Sequence, residues 1–226
     1  AELFRGLERA YGSYPLQDPE EIVAGEKKLP KAGKPKTVHS PVTQFHYDEH
    51  LAGNHSLGIV PIMDDGNVFF AAIDFDQYQN GYENARKIRA LVEQKNLPIV
   101  VCLSKSEGVH LYVFFSDPTP AKKAISILQD CRKLMGVADH FINKAGKKQF
   151  LETFPKQADL GKVDIGNWIN LPYFGSTRKA LGMNGERLEL DEFLAEANAK
   201  SMSTRDVENL DLGETIKSED DHSGAP

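Results

Sequence analysis

Residues 68–76 read Val-Phe-Phe-Ala-Ala-Ile-Asp-Phe-Asp. An apolar run of this kind predicts a strand buried on both faces. It stops at two carboxylates, Asp74 and Asp76. Side chains alternate along a strand, so residues i and i+2 project from one face. Two like charges at the mouth of a buried strand repel each other unless a cation lies between them. Oxygen ligands on a rigid element suit Mg2+ or Mn2+ better than zinc. The competing reading is a strand end whose acids simply meet solvent.

Working outward, Gly81 to Asn96 carries Ala85, Ile88, Leu91 and Val92 at helical spacing. Pro98 closes that connection, and 99–103 (Ile-Val-Val-Cys-Leu) predicts a second buried strand. A tight turn at 104–108 leads to a third strand at 110–115. Pro118 and Pro120 precede a helix to about Met135, with Ala124, Ile127, Leu128, Cys131 and Leu134 on one face. A fourth strand is expected at 149–154 and a fifth at 166–171. From 68 to 154 the order is β-α-β-β-α-β, the split βαβ pattern. There the first and third strands are central, the fourth borders the first, and helices cover one face, leaving the other for function. Asp74, Asp76, His110 and Glu152 would share that open face.

Before this core, Leu3, Phe4, Leu7 and Tyr11 predict a short N-terminal helix, and the prolines of 12–44 predict loop. A helical turn is expected at 45–53. A strand at 57–62 and the turn Asp64-Asp65-Gly66-Asn67 make 57–74 a hairpin candidate. Residues 190–210 predict two helical segments with Ser203 as an N-cap. The expected fold class is α+β. An α/β module at 1–66 packs on an RRM-like βαββαβ core at 67–185. C-terminal helices follow at 186–210, then a disordered acidic tail at 211–226.

The composition, 40% hydrophobic and 27% charged over 226 residues, is that of a soluble globular protein. No apolar run reaches the roughly 20 residues a membrane span needs, and no signal peptide opens the chain, so no membrane partner is expected. Two cysteines, Cys102 and Cys131, exclude a disulfide framework and a four-thiolate zinc site. A reducing cytoplasm is the simplest setting. The net charge of −6 argues against a protein held on nucleic acid by electrostatics alone. Basic residues nevertheless cluster at 26–36 and 144–148, either as solvated loops or as phosphate-contacting surface. His39, His46, His50 and His55 suggest zinc weakly, because their spacing is irregular and no cysteine accompanies them. Trp168 is read as core or as a base-stacking platform.

With these elements in place, the chain resembles the archaeo-eukaryotic primase superfamily. Asp74-Phe75-Asp76 is similar to its first motif, hydrophobic-Asp-x-Asp. Residues 104–112, Ser-Lys-Ser-Glu-Gly-Val-His-Leu-Tyr, resemble its second, a Ser-rich turn before Gly-x-His on a strand. Leu151-Glu152 resembles its third. Phe4-Arg5-Gly6, His50-Leu51-x-Gly53, Phe154-Pro155-Lys156-Gln157 and the Gly166-Asn167-x-Ile169-Asn170-Leu171-Pro172 run resemble the primase-polymerase branch of conflict systems, CRISPR-linked proteins and mobile-element replication proteins. The resemblance spans about residues 2–178. One departure stands out: some relatives carry a Cys-rich metal knuckle where 12–44 here has no cysteine.

The resemblance implies a DNA primase-polymerase, a nucleotidyltransferase joining NTP or dNTP to a 3′-hydroxyl. Such phosphoryl transfer depends on positioning and charge neutralisation, here by two Mg2+ or Mn2+ ions ~3.5–4 Å apart. Asp74, Asp76 and Glu152 are the implied metal ligands, with Asp164 the rival for the third place. Ser104, Lys105, Ser106, Gly108 and His110 are expected to cradle the triphosphate through backbone N–H groups and positive charge. Lys156, Asn167, Asn170 and Arg178 are further expected nucleotide or template contacts. Expected partners are a single-stranded template, a primer, nucleotides, and a helicase or primer-holding domain of a larger parent protein. Two other readings stay open: a two-metal nuclease or other phosphodiesterase, and a non-catalytic RRM-like single-strand binder using Tyr112 and Phe114 on an open sheet.

Overall fold

The computed structural model describes residues 2–14, 34–75, 81–105, 108–142, 148–161 and 164–212. Asp76, Ser106, most of both lysine clusters and the acidic tail from 213 onward lie outside these residues. In chain order the elements are a 3-10 turn at Glu2–Phe4, β1 (Tyr11–Ser13), β2 (Lys36–Val38), α1 (Gln44–Ala52), β3 (Gly58–Ile59), β4 (Asn67–Phe75), α2 (Gly81–Gln94), β5 (Val100–Leu103), β6 (Val109–Pro120), α3 (Ala121–Leu134), β7 (His140–Ile142), β8 (Lys148–Phe150), β9 (Glu152–Phe154), β10 (Ile169–Asn170), α4 (Leu190–Ala199) and α5 (Thr204–Asn209).

The apolar run 68–73 lies in β4, and every one of its residues is buried. It pairs antiparallel with β6 on one side and β9 on the other, giving the order β5-β6-β4-β9. The first and third strands of the expected pattern are therefore central, and the fourth borders the first. With its helices and antiparallel sheets, the protein is α+β. One face of this sheet, with Ala71, Ile73, Leu111 and Val113, packs on Ala85, Ile88 and Val92 of α2 and on Ala124, Ile127 and Leu128 of α3.

The opposite face is not open. Phe70, Ala72, Val100, Tyr112 and Phe114 lie in a second cluster with Ile59, Ile169 and Phe193. A second antiparallel sheet, order β10-β3-β1-β2, and α4 supply its cover. Phe4 inserts edge-on against Phe70, Tyr112 and Phe114, with centroids 5.1–5.3 Å apart. Tyr112 and Phe114, the stacking platform that a single-strand-binding module would need, are buried at 0% and 1% exposure.

Other expectations change for packing reasons. The N-terminal helix is only the 3-10 turn, because the chain at Gly6 runs against β3's flank. A Cβ there would stand 2.2 Å from the Val60 carbonyl oxygen, and Leu7 N–H donates to that oxygen at 2.9 Å. The 57–74 hairpin keeps its turn, with Met63 N–H donating to Asn67 O at 2.9 Å. Its arms then part, since β3 pairs with β1 and β10 while β4 pairs with β6 and β9. The single strand expected at 149–154 divides at Leu151. Its first half, β8, pairs with β7, and its second half, β9, with β4. The fifth strand shrinks to Ile169–Asn170 and joins the second sheet. Ser203 caps α5 as expected, accepting from Asp206 N–H. No helix among the described residues is long and apolar enough to cross a membrane.

The histidine-rich stretch serves several local purposes. His46 closes a capping box with Thr43 at the start of α1, and His55 pairs with Glu49 at 3.1 Å. His50 is buried. Its Nδ1 accepts from Leu57 N–H at 2.9 Å, and its Nε2 donates to Pro172 O at 2.8 Å. Burial pushes the imidazole down to about 4, against the pull of the Pro172 carbonyl and helped by the Arg178 charge. The folded protein thus refuses a proton that the unfolded chain accepts below about 6.5. Stability from neutral His50 is complete above that value and is lost as pH falls toward about 4, up to about 3 kcal/mol. Denaturant melts across this window should show the loss, and His50→Gln should flatten that part of the curve.

Candidate active site

The antiparallel register brings the chemistry together. Asp74 of β4 lies directly opposite His110 of β6 and Glu152 of β9, and His110 lies opposite Cys102 of β5. Directly opposite residues share a face and sit within side-chain reach. Cys102, His110, Asp74 and Glu152 thus form one row across the sheet, on the face covered by the second sheet. Cys102 is fully buried core at one end, and burial raises its thiol well above the ordinary value. The row becomes wetter toward Glu152.

His110 is oriented by a fully buried tyrosine. The Tyr112 hydroxyl donates to Asn170 O at 2.9 Å, so its only hydrogen is used. Its oxygen can then only accept from His110 Nδ1–H, 3.0 Å away. The proton is held on Nδ1, and Nε2 faces Asp74 Oδ1 at 3.4 Å. Asp74 Oδ1 is buried and has no hydrogen-bond partner. An ionised oxygen left in this state is costly, and a hard cation is the kind of partner it lacks.

Glu152 accepts from Lys156 Nζ at 2.8 Å, and its side chain is half exposed. Asp164 is held by Arg9, whose Nη1 lies 3.1 Å from its Oδ1, and its side chain is 80% exposed. Among the described residues, no three His, Cys, Asp or Glu side chains gather closely enough to hold a metal ion. Asp76, one residue past the described end of β4, is outside that set. The donors that are placed, Asp74 and Glu152, are hard carboxylate oxygens fitting Mg2+ or Mn2+.

Clefts lie at both ends of the row. At the β5 end, one of about 600 Å3 is lined by Ser104, Lys105, Thr177, Arg178, Lys179 and Arg187, with Tyr82. Ser104 N–H donates to Gly108 O at 2.9 Å, which closes the turn. The 179–181 segment runs along β5, with Leu103 N–H donating to Lys179 O and Leu181 N–H to Val101 O. This places Arg178 beside Lys105. Arg178 is 8% exposed, and no carboxylate among the described residues pairs with it. Burial lowers the Arg178 pKa; burial, then the Arg178 charge, lowers that of Lys105. A buried arginine beside a lysine whose charge it disfavours makes a site suited to an anion.

At the β9 end, a cleft of about 400 Å3 is lined by Glu152, Lys156, Asp164, Asn167 and Trp168. The Trp168 indole lies over Gly12 and Gly58, where an added Cβ would meet it at 1.9 and 2.3 Å. The indole is therefore held as a wall of the second sheet. Asn170 sits between the layers. Its carbonyl takes the Tyr112 hydroxyl, while its own Oδ1 is buried without a partner. The expected residues thus divide between the row (Asp74, His110, Glu152), the β5 cleft (Ser104, Lys105, Arg178) and the β9 cleft (Lys156, Asn167). Sequence reasoning missed Tyr82, Lys179 and Arg187. These surface-type residues carry no pattern, and the fold alone brings them to the cleft.

Residues 6–183 match the family described as "TOTE conflict system, Archaeo-Eukaryotic Primase domain". The chain belongs to this family, whose primase-type domains are of nucleotidyltransferase character. It is also similar to a solved structure, the archaeo-eukaryotic primase domain of the Cyanophage S-2L Primase-Polymerase (PrimPol). The identity is 13%, the match covers 87% of this chain and 92% of that one, and the TM-score is 0.38. No curated protein matches the chain.

The buried hydroxyl makes a clear prediction. Tyr112→Phe leaves His110 Nδ1–H and Asn170 O without their partner in a closed core, at a cost of about 1–3 kcal/mol. Chemical denaturation measures it. The 15N shifts of His110 should also lose the single Nδ1–H tautomer of the parent protein.

Proposed function

We propose that this protein is a template-dependent nucleotidyltransferase, a primase-polymerase that joins NTP or dNTP to a 3′-hydroxyl on a single-stranded template. The observation that carries this reading is Asp74. Its buried oxygen, without a hydrogen-bond partner, lies in register with His110 and Glu152, in a row whose β5 end borders a cationic cleft. Asp74, Asp76 and Glu152 would hold the divalent ions, which supply charge neutralisation at the reacting phosphate and activation of the attacking oxygen.

The chain's own residues do the rest by position. Lys105 and Arg178 receive the triphosphate, at the end of the turn that Ser104 N–H closes on Gly108 O. His110, fixed through Nδ1–H, presents its Nε2 lone pair on the side of Asp74, where a hydroxyl or water would approach as donor. Asp74 and Glu152 sit on adjacent strands in a fixed relation, so reacting groups held there need little reorganisation. Lys156 holds Glu152 in the β9 cleft, the natural seat of a primer terminus, with Asn167 and Trp168 as its walls. A phosphodiesterase would share the carboxylates but has no use for a buried cationic cradle at the other end of the row. A TOTE-type conflict-system setting fits a domain that works beside others.

Incubation with a single-stranded template, labelled nucleotides and Mn2+ or Mg2+ tests the proposal. Extension products are expected; degradation of the template would favour the phosphodiesterase, and binding alone the non-catalytic module. Asp74→Ala should abolish incorporation while leaving stability equal or higher by about 1 kcal/mol, since it removes an unpartnered buried carboxylate. Wild-type incorporation by this variant would sink the metal assignment.

Binding to single-stranded DNA without metal or nucleotide should be weak. With three or four cations placed to meet phosphates, a log–log salt slope of about −2 to −3 is expected. A slope steeper than about −6 would reveal an extended basic channel and favour the binding module.

A further inference from the structure

We infer that His50 is a positioning residue for the nucleotide site: it clamps the 171–178 loop so that Arg178 is held in the cationic cleft. This rests on the reading that the cleft receives the triphosphate. The loop is awkward to hold. Tyr173 and Arg178 both have positive φ, 61° and 56°, which side-chain-bearing residues rarely adopt. Surrounding contacts must therefore impose that shape.

The Tyr173 hydroxyl is held by Leu188 O and Ala180 N–H, and three further contacts lead to His50. Its Nε2 donates to Pro172 O at 2.8 Å, its Nδ1 accepts from Leu57 N–H, and its own carbonyl accepts from Gly175 N–H at 3.1 Å. One residue near the end of α1 thus ties both ends of the 172–175 turn to the start of β3. The Phe174 ring packs edge-on against the His50 ring at 5.4 Å, and the Arg178 guanidinium lies over the same Phe174 ring at 4.9 Å. Tyr173 N–H and Arg178 Nη1 close the loop on itself, toward Arg178 O and Leu171 O, each at 3.4 Å. Gly53 explains the rest of the His-Leu-x-Gly segment. Its φ of 82° ends α1, and a Cβ on it would press on the Gly175 Cα at 3.2 Å. Helix end and loop approach backbone to backbone there; a Cβ on Gly53 would be tight, while at Gly175 it is the φ of 55° that favours glycine. Because both ring nitrogens are spent on backbone groups, His50 itself is left no free nitrogen for substrate.

Two conservative substitutions separate the two bonds. A Gln amide nitrogen reaches the place of Nε2 and can keep the Pro172 bond. An Asn oxygen reaches the place of Nδ1 and keeps only the Leu57 bond. ATP and dATP with Mg2+ are the probes, titrated by calorimetry into the full chain, with a thermal melt for each variant. His50→Gln should bind within about twofold of the parent protein, and His50→Asn about tenfold more weakly, the scale of one hydrogen bond. In an Arg178→Ala background, His50→Asn should add no further loss. Gly175→Ala, which leaves His50 intact but strains the same loop at a φ of 55°, should weaken binding as His50→Asn does, and it serves if His50→Asn does not fold. Equal effects of the Gln and Asn variants would overturn the clamp. So would an undiminished Asn effect without Arg178. If Arg178→Ala weakens binding but neither His50→Asn nor Gly175→Ala does, only this inference fails. If Arg178→Ala changes nothing, the triphosphate reading fails and takes this inference with it.

Discussion

The register of three adjacent strands is the constraint on which the site depends. Asp74 faces His110 on one side and Glu152 on the other because β4 pairs antiparallel with both β6 and β9. A slip of one residue in either pairing would turn one member of the row onto the helical face. That register is held by burial on both sides: α2 and α3 below, and the second sheet with Phe4 and α4 above. An apolar strand covered in this way has no freedom to slide. Asp74 near its end inherits that rigidity, which is what a preorganised electrostatic site needs.

The electrostatics are arranged as unmet needs. Among the described residues, a carboxylate oxygen without a hydrogen-bond partner, an asparagine oxygen without a partner and an arginine without a carboxylate all lie around the row. Each would lower stability taken alone. Their common location in a protein whose other buried charges are well paired gives them a shared meaning. Arg89, for contrast, is as buried as Arg178 but binds Glu93, Glu196 and the Leu181 carbonyl. One arginine has its carboxylates; for the other, the proposed triphosphate would supply the anion.

Covering the functional face with a second sheet changes what the core can do. An RRM-like sheet with exposed aromatics binds bases along its surface. Here those aromatics are core, and the clefts open at the β5 and β9 ends of the row rather than along its face. The layer above also supplies parts of the site. β10 brings the carbonyl that orients Tyr112, and the 171–178 loop brings Arg178.

How much of this was legible in the sequence follows from the range of each interaction. The central strands, the two covering helices, the Ser203 cap and the Asp74, His110 and Glu152 row were readable, because periodicity and β-α-β-β-α-β order are local signals. The outer strand was misread at Leu151, where one apolar residue separates two pairings. The parting of β3 from β4 was also invisible, since a turn signal does not say which sheet each arm joins. The role of His50, the gathering of Lys179 and Arg187 at the cleft and the closing of the second face all rest on contacts far apart in the chain. Sequence alone determined which residues carry charge, where the central strands and their two covering helices run and which acids end a buried strand. Only tertiary structure decided which of those groups meet, because burial and long-range register, not local propensity, set the partner of each side chain.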